Sequence, residues 1–188
     1  PIMLVDPDGR DIIVLLDPKR VFGAGHMAFL IGNKDDGYRL YSDNGTTNGI
    51  GSSGPSDDAP EMGEQHFDSL AEFARIYNKD EDGNAIYTSA YEIKTTKKQD
   101  DEMQEAGKKS ILETYDVIHN NCADACSDAL QAGGLDGGKV KSLKIQWPIE
   151  INIDIDPYKS PIPNIRYDRI VENNEGIDVS DQIIECQE

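Results

Sequence analysis

Apolar residues in this chain come in short runs, and none approaches the ~18 residues needed to cross a bilayer. Ile2–Val5 is closed by Asp6-Pro7-Asp8-Gly9, Ile12–Leu16 by Asp17-Pro18, and Met27–Ile31 by Gly32-Asn33. Asp-Pro and Asp-Gly are turn chemistry, so the opening reads as extended pieces joined by turns. The polar turn Lys34-Asp35-Asp36-Gly37 separates His26–Ile31 from a second strand, Tyr38–Ser42, and the two form a hairpin. Nothing here is expected to span a membrane, and no basic-then-apolar leader opens the sequence.

Helices enter later. Ser69-Leu70-Ala71-Glu72 has capping-box spacing, and Leu70, Phe73, Ala74 and Tyr77 repeat as one helical face, which predicts a helix over about 69–77. Ala85–Thr95 reads as a strand. Asp100–Glu113 reads as a second helix, with Met103, Gly107 and Ile111 at intervals of four. Tyr115–Ile118 is a short strand candidate. Asn120-Asn121 caps a third helix over roughly 122–132, stopped by Gly133-Gly134. Ile149, Ile151, Ile153 and Ile155 alternate with polar residues as a half-buried strand, and Pro157–Pro163 reads as a connection. The last dozen residues are expected to be weakly anchored. Asn44–Met62, rich in Gly, Ser, Thr, Asn and Pro, reads as a long surface loop. With 188 residues the expectation is one α+β domain, an antiparallel sheet packed against a helix with a cysteine at its N-terminus.

Charge narrows the function. Asp and Glu number 36 against 18 Lys and Arg, a net charge of −18. Such a surface repels phosphate backbones, so no nucleic-acid partner is expected. Three cysteines, an odd number, do not make a disulfide scaffold.

The segment His119-Asn120-Asn121-Cys122-Ala123-Asp124-Ala125-Cys126 carries the most chemistry. With Asn121 at the cap and Asp124 three residues on, Cys122 falls in the first helical turn. The helix dipole and free backbone N–H groups there are expected to lower its pKa and to hold the oxyanion of an acyl-transfer intermediate. Cys126, one turn deeper, reads as a buried core thiol. Of the histidines, His26 opens a buried strand behind Gly23-Ala24-Gly25, the place for a base facing a helix N-terminus. His66 reads as solvated, and the turn after His119 sends its ring elsewhere. Ser42 or Asp43, at the end of the second hairpin strand, can accept from the His26 ring.

Plainer alternatives exist for each feature: a small buried cysteine, a structural strand-start histidine. His119-x-x-Cys122-x-x-x-Cys126 departs from standard zinc spacing and lacks a fourth ligand, and no metal is expected. A Cys122–Cys126 disulfide is awkward within one helical turn. Asn78-Lys79-Asp80-Glu81-Asp82-Gly83-Asn84 matches half a calcium loop, but Ser89 stands where a bidentate Glu belongs, so an acidic turn is expected.

Two resemblances follow from these residues. Pro1–Asp11, with Asp6-Pro7-Asp8-Gly9 inside it, resembles the segment that closes the Rhs-repeat-associated core domain of polymorphic toxins. That resemblance makes 1–22 the end of an Rhs core or linker segment. The remainder becomes a secreted antibacterial tip, released from its Rhs shell, delivered by secretion machinery into the periplasm or cytoplasm of a target cell, and neutralised by a cognate immunity protein. Second, Gly25-His26-Met27-Ala28-Phe29-Leu30-Ile31-Gly32, then Tyr38–Ser42, then Asn121-Cys122-Ala123-Asp124, resembles circularly permuted papain-like hydrolases. This group includes relatives of NlpC-type peptidoglycan peptidases and the lecithin:retinol acyltransferase group.

The second resemblance implies a papain-like domain over 23–188, with an irregular extension from about 145. Cys122 is its nucleophile, His26 its base, and Ser42 or Asp43 the orienting group. Asn121 and Tyr41 are expected substrate contacts, and no cofactor is called for. The acyltransferase relatives place a second histidine on the strand where this chain has Tyr41-Ser42-Asp43. The expected activity is hydrolysis of an amide or peptide bond. Its rivals are lipid or thioester hydrolysis by the same pair, and a non-enzymatic binding module, calcium-dependent in one version.

Overall fold

The computed structural model describes residues 10–20, 23–43, 63, 65–113, 121–139 and 162–184, and the backbone of 143–147 and 149–153. The predicted strands at Tyr115–Ile118 and the loop Asn44–Met62 lie outside these residues, as do the Rhs-like junction Asp6–Gly9, His119 and Cys186.

The apolar runs near the start form the middle of one sheet. Strand β1 (Asp11–Asp17) lies between β2 (His26–Asn33) and β5 (Ser89–Lys94), antiparallel to both. Adding β3 (Gly37–Ser42), β4 (His66–Phe67) and β8 (Ile177–Asp178) gives six antiparallel strands in the order β4-β3-β2-β1-β5-β8. A separate hairpin pairs β6 (Leu143–Trp147) with β7 (Ile149–Ile153).

The runs are continuous rather than alternating because both sheet faces are covered. Ile12, Val14, Leu16, Met27, Phe29 and Ile31 face α2 (Lys97–Leu112), α3 (Cys122–Ala132) and α4 (Pro163–Asn173). Ile13, Leu15, Ala28 and Leu30 share the other core with Leu70 and Phe73 of α1 (Leu70–Ile76) and Ile183 of α5 (Ser180–Ile184). The result is a three-layer α+β arrangement with the cysteine-bearing helix packed on the sheet. Gly107 allows α2 to approach: a Cβ there would lie 2.6 Å from the Phe29 ring.

Several boundaries differ from expectation. Within the segment up to residue 22, β1 is an interior strand of the sheet and Ile12 through Leu15 are fully buried. The second helix starts at Lys97, since Thr96 and Gln99 form a reciprocal capping box ahead of the acidic residues. The third helix, 122–132, lies where it was expected.

Residues 162–184 pack on the sheet. Helix α4 has no side-chain cap and enters through Pro163 at its first turn, so the usual start signal is missing. Yet Arg166, Tyr167 and Ile170 bury against the core. Residues 177–184 are anchored too. β8 pairs with β5, Val179 N–H donates to Ala90 O, Ala90 N–H donates to Ser180 Oγ, and Ile183 is fully buried.

Candidate active site

Helix α3 begins where its sequence asks it to. Asn121 Oδ1 accepts from the N–H groups of Ala123 (2.8 Å) and Asp124 (3.2 Å), and Asp124 Oδ2 accepts from Asn121 N–H (3.2 Å). Cys122 is the first helical residue. Its sulfur meets the sheet: Met27 N–H donates to Cys122 Sγ over 3.5 Å. Strand β3 ends at Ser42, opposite Ala28, so the Met27 amide lies just past the end of that ladder. This amide belongs to the His26–Met27 peptide, which puts the sulfur against the backbone unit that His26 helps to form.

The register also sets the His26 ring. Ala28 pairs with Ser42, and His26, two residues earlier, is diagonal to Ser42 on the same face. His26 Nε2 and Ser42 Oγ are 3.2 Å apart. Ser42 Oγ is in turn 3.5 Å from the Tyr87 hydroxyl, and the His26 and Tyr87 ring centroids are 6.0 Å apart. The loop ahead of His26 is held from α4. Asn164 donates from Nδ2 to Gly23 O (2.9 Å) and Pro18 O (3.3 Å), and its backbone N–H donates to Ala24 O. Gly25 has φ +95°, and a Cβ there would collide with the Asn164 side chain, so both conformation and space require glycine.

The electrostatics overturn one expectation. Burial pushes the Cys122 thiol up to about 12, and the charges of Asp43 and Asp124 push the same way. The Met27 and Ala123 N–H groups pull it down by less. Desolvation of the thiolate outweighs the helix N-terminus because the sulfur sits inside the protein and two first-turn amides are engaged by Asn121. The resting cysteine is therefore a neutral thiol. Those two amides are likewise not open to an oxyanion, although Cys122's own N–H is not one that the cap engages. Cys126 is buried and free, as is Cys122, and burial raises its pKa as well.

Other expected site residues divide. Ser42 contacts the ring, and buried Asp43 stands close enough for its charge to act on Cys122. Tyr41 is not placed to meet a substrate: it is 1% exposed, stacks on Phe29 at 4.9 Å and donates to Gln104 Oε1. Its odd position in β3 sends it to the opposite face from Ser42. Asn121 serves as the cap of α3. His66 lies on β4, with Nε2 against Asp36 O in the β2–β3 turn. The calcium-like segment is a structural turn. Asp80 accepts from the N–H groups of Asp82 and Asn84, and Asn78 uses its amide on Tyr87 and Ile183. Among the described residues no group of three His, Cys, Asp or Glu side chains is arranged to hold a metal ion. No described helix is long and apolar enough to cross a membrane.

Sequence reasoning missed Tyr87 and Arg166. Arg166, fully buried on α4, donates from Nη1 to Asp124 Oδ1 (2.8 Å), Ser127 Oγ (2.8 Å) and Ala123 O (3.2 Å). It thereby grips the carboxylate that closes the cap over Cys122. A lone arginine after a proline-rich stretch carries no local signal of burial. No family model, curated protein or solved structure matches this chain.

Proposed function

We propose that this chain is a cysteine hydrolase of the permuted papain-like kind, acting on an amide or peptide bond as the antibacterial tip of an Rhs polymorphic toxin. The observation that carries the reading is the Met27 N–H to Cys122 Sγ contact. It joins a helix-first cysteine to the strand residue next to His26, whose ring is oriented by Ser42.

In this reading His26 acts as a general base rather than as half of a preformed ion pair, because the thiol rests neutral. His26 shares the Ala28–Ser42 face of the sheet whereas α3 packs on the Met27 face. The ring therefore reaches around the start of β2 and takes the Sγ proton on Nδ1, the nitrogen not engaged by Ser42, as sulfur attacks the carbonyl carbon. The tetrahedral oxyanion collapses, the carbon–nitrogen bond breaks, and the imidazolium returns its proton to the leaving amine. Water then attacks the thioester, gives a proton to His26, and releases the acid with the free thiol. Substrate binding would have to open access to a sulfur that is buried at rest.

The leading substrates are peptidoglycan stem peptides, with a cytosolic protein target close behind. The net charge of −18 supplies no attraction to an anionic wall. An immunity protein with a basic face would suit the acidic surface, and its association would slow with added salt.

The test is toxicity in a sensitive strain lacking the immunity protein, paired with digestion of muropeptides and of peptide amides by the purified chain. Cys122→Ala and His26→Ala should each lower turnover by about 10²–10⁴-fold, the range expected for loss of the nucleophile or its base. Normal toxicity from folded Cys122→Ala would remove the hydrolase reading.

A further inference from the structure

Tyr87 entered the site unannounced, from an irregular stretch before β5, and its placement is tightly determined. Asn78 Oδ1 accepts from Tyr87 N–H (2.6 Å), and Asn78 Nδ2 donates to Tyr87 O (2.9 Å) and to Ile183 O (3.1 Å). One buried amide thus clamps the Tyr87 backbone on both sides and ties it to α5. The phenol is 1% exposed and packs near Phe73, with its hydroxyl 3.5 Å from Ser42 Oγ.

We infer that Tyr87 is a positioning residue for His26: its hydroxyl accepts from Ser42 Oγ–H, so that Ser42 in turn accepts from His26 Nε2–H. This deepens the hydrolase reading and takes its purpose from it. The direction follows from what the ring must do. An imidazolium carries N–H at both nitrogens, so Ser42 has to accept from Nε2 once His26 holds the sulfur's proton. A chain already running in that direction leaves Nδ1 unprotonated before the reaction and needs no reorientation during it. Burial keeps the phenol neutral, so it offers a lone pair without taking the serine's proton. Of the other titratable groups nearby, Asp17 pairs opposite His26 on β1, and Asp43, which follows Ser42, acts on Cys122. Arg20 and Tyr77 act on Tyr87 itself.

The test is a pH series of long-range ¹H–¹⁵N correlation spectra of the histidine rings in the full chain, comparing wild type with Tyr87→Phe and Ser42→Ala. Wild-type neutral His26 should show the Nε2–H pattern. Tyr87→Phe should shift the population toward Nδ1–H and lower the pKa of His26, because the imidazolium loses its aligned acceptor chain. Ser42→Ala should do the same, and the double variant should add nothing to Ser42→Ala. A His26 ring with the same tautomer and titration in Tyr87→Phe as in wild type overturns the inference. If the phenylalanine variant does not fold, an unchanged Nε2–H pattern in Ser42→Ala overturns it instead. These spectra need no turnover, so a tautomer shift combined with full toxicity of Cys122→Ala would support the chain while rejecting the hydrolase.

Discussion

The backbone N–H of Met27 reaches the sulfur of Cys122 across 95 positions of sequence, at 3.5 Å. It does so because β3 stops one pairing short of Met27 and α3 starts at that level of the sheet. The sulfur thereby gains a donor but loses contact with water, and burial dominates its ionisation.

Alkylation should report that balance. With the thiol held up to about 12, iodoacetamide should label Cys122 slowly at pH 7, and the rate should keep rising above pH 9. Unfolding in urea should bring the rate to that of a free cysteine. The sign for stability follows. A folded pKa above the unfolded value of 9.0 favours the fold below pH 9 and loses that contribution as pH rises toward 12. Cys122→Ala should remove this alkaline slope from the stability profile. Rapid, stoichiometric labelling of the folded protein at pH 6–7 would contradict the neutral thiol.

Arg166 should be costly to lose. Arg166→Met leaves Asp124 a buried carboxylate without its guanidinium, for which about 3–5 kcal/mol of destabilisation is expected in urea titrations. The cap over Cys122 should loosen with it, so labelling of Cys122 should accelerate. Arg166→Lys, which keeps the charge, should recover part of the stability. A loss under 1 kcal/mol in Arg166→Met would show that the cluster contributes little.

Asp11 should give an acid-side signature of opposite sense to an ordinary ion-paired carboxylate. Burial, with Glu92 beside it, pushes its pKa up to about 6 despite Lys94 at 2.7 Å. A raised folded pKa means the stabilising contribution is complete below pH 3.8 and fades as pH rises toward 6. Relative to Asp11→Asn, the wild type should therefore lose on the order of 2 kcal/mol between pH 4 and 7. Parallel stability profiles for the two proteins would refute the shift.

Asn78 separates the structural turn from a calcium loop. Asn78→Ala removes three buried hydrogen bonds to Tyr87 and Ile183 and should destabilise by about 3 kcal/mol or more. Neither millimolar calcium nor a chelator should move the melting temperature of the wild type. A calcium-dependent rise of several degrees would restore the metal-loop reading.

Local pattern carried much of this protein. The apolar runs Ile12–Leu16 and Met27–Ile31 were legible as strands, because burial on both faces leaves no polar positions to confuse the period. The cap at Asn121 set the start of α3 and hence Cys122 at its first position, since a capping box is closed within four residues. The nearness of Cys122 to the His26 peptide could only be inferred from order and resemblance. Helix α4 and the anchored C-terminal segment were not legible, for their evidence is burial by distant partners: Ile183 under the sheet, Arg166 on Asp124, Asn164 on the Gly23 turn.

Short-range hydrogen bonds and hydrophobic period thus determined which segments are strands and helices and which end of α3 holds the thiol. Tertiary structure alone decided how that thiol ionises, which face Tyr41 and Ser42 take, and that Tyr87 and Arg166 enter the site. The reason is physical: capping acts over one helical turn, whereas desolvation and buried charge pairing depend on every element packed around the atom.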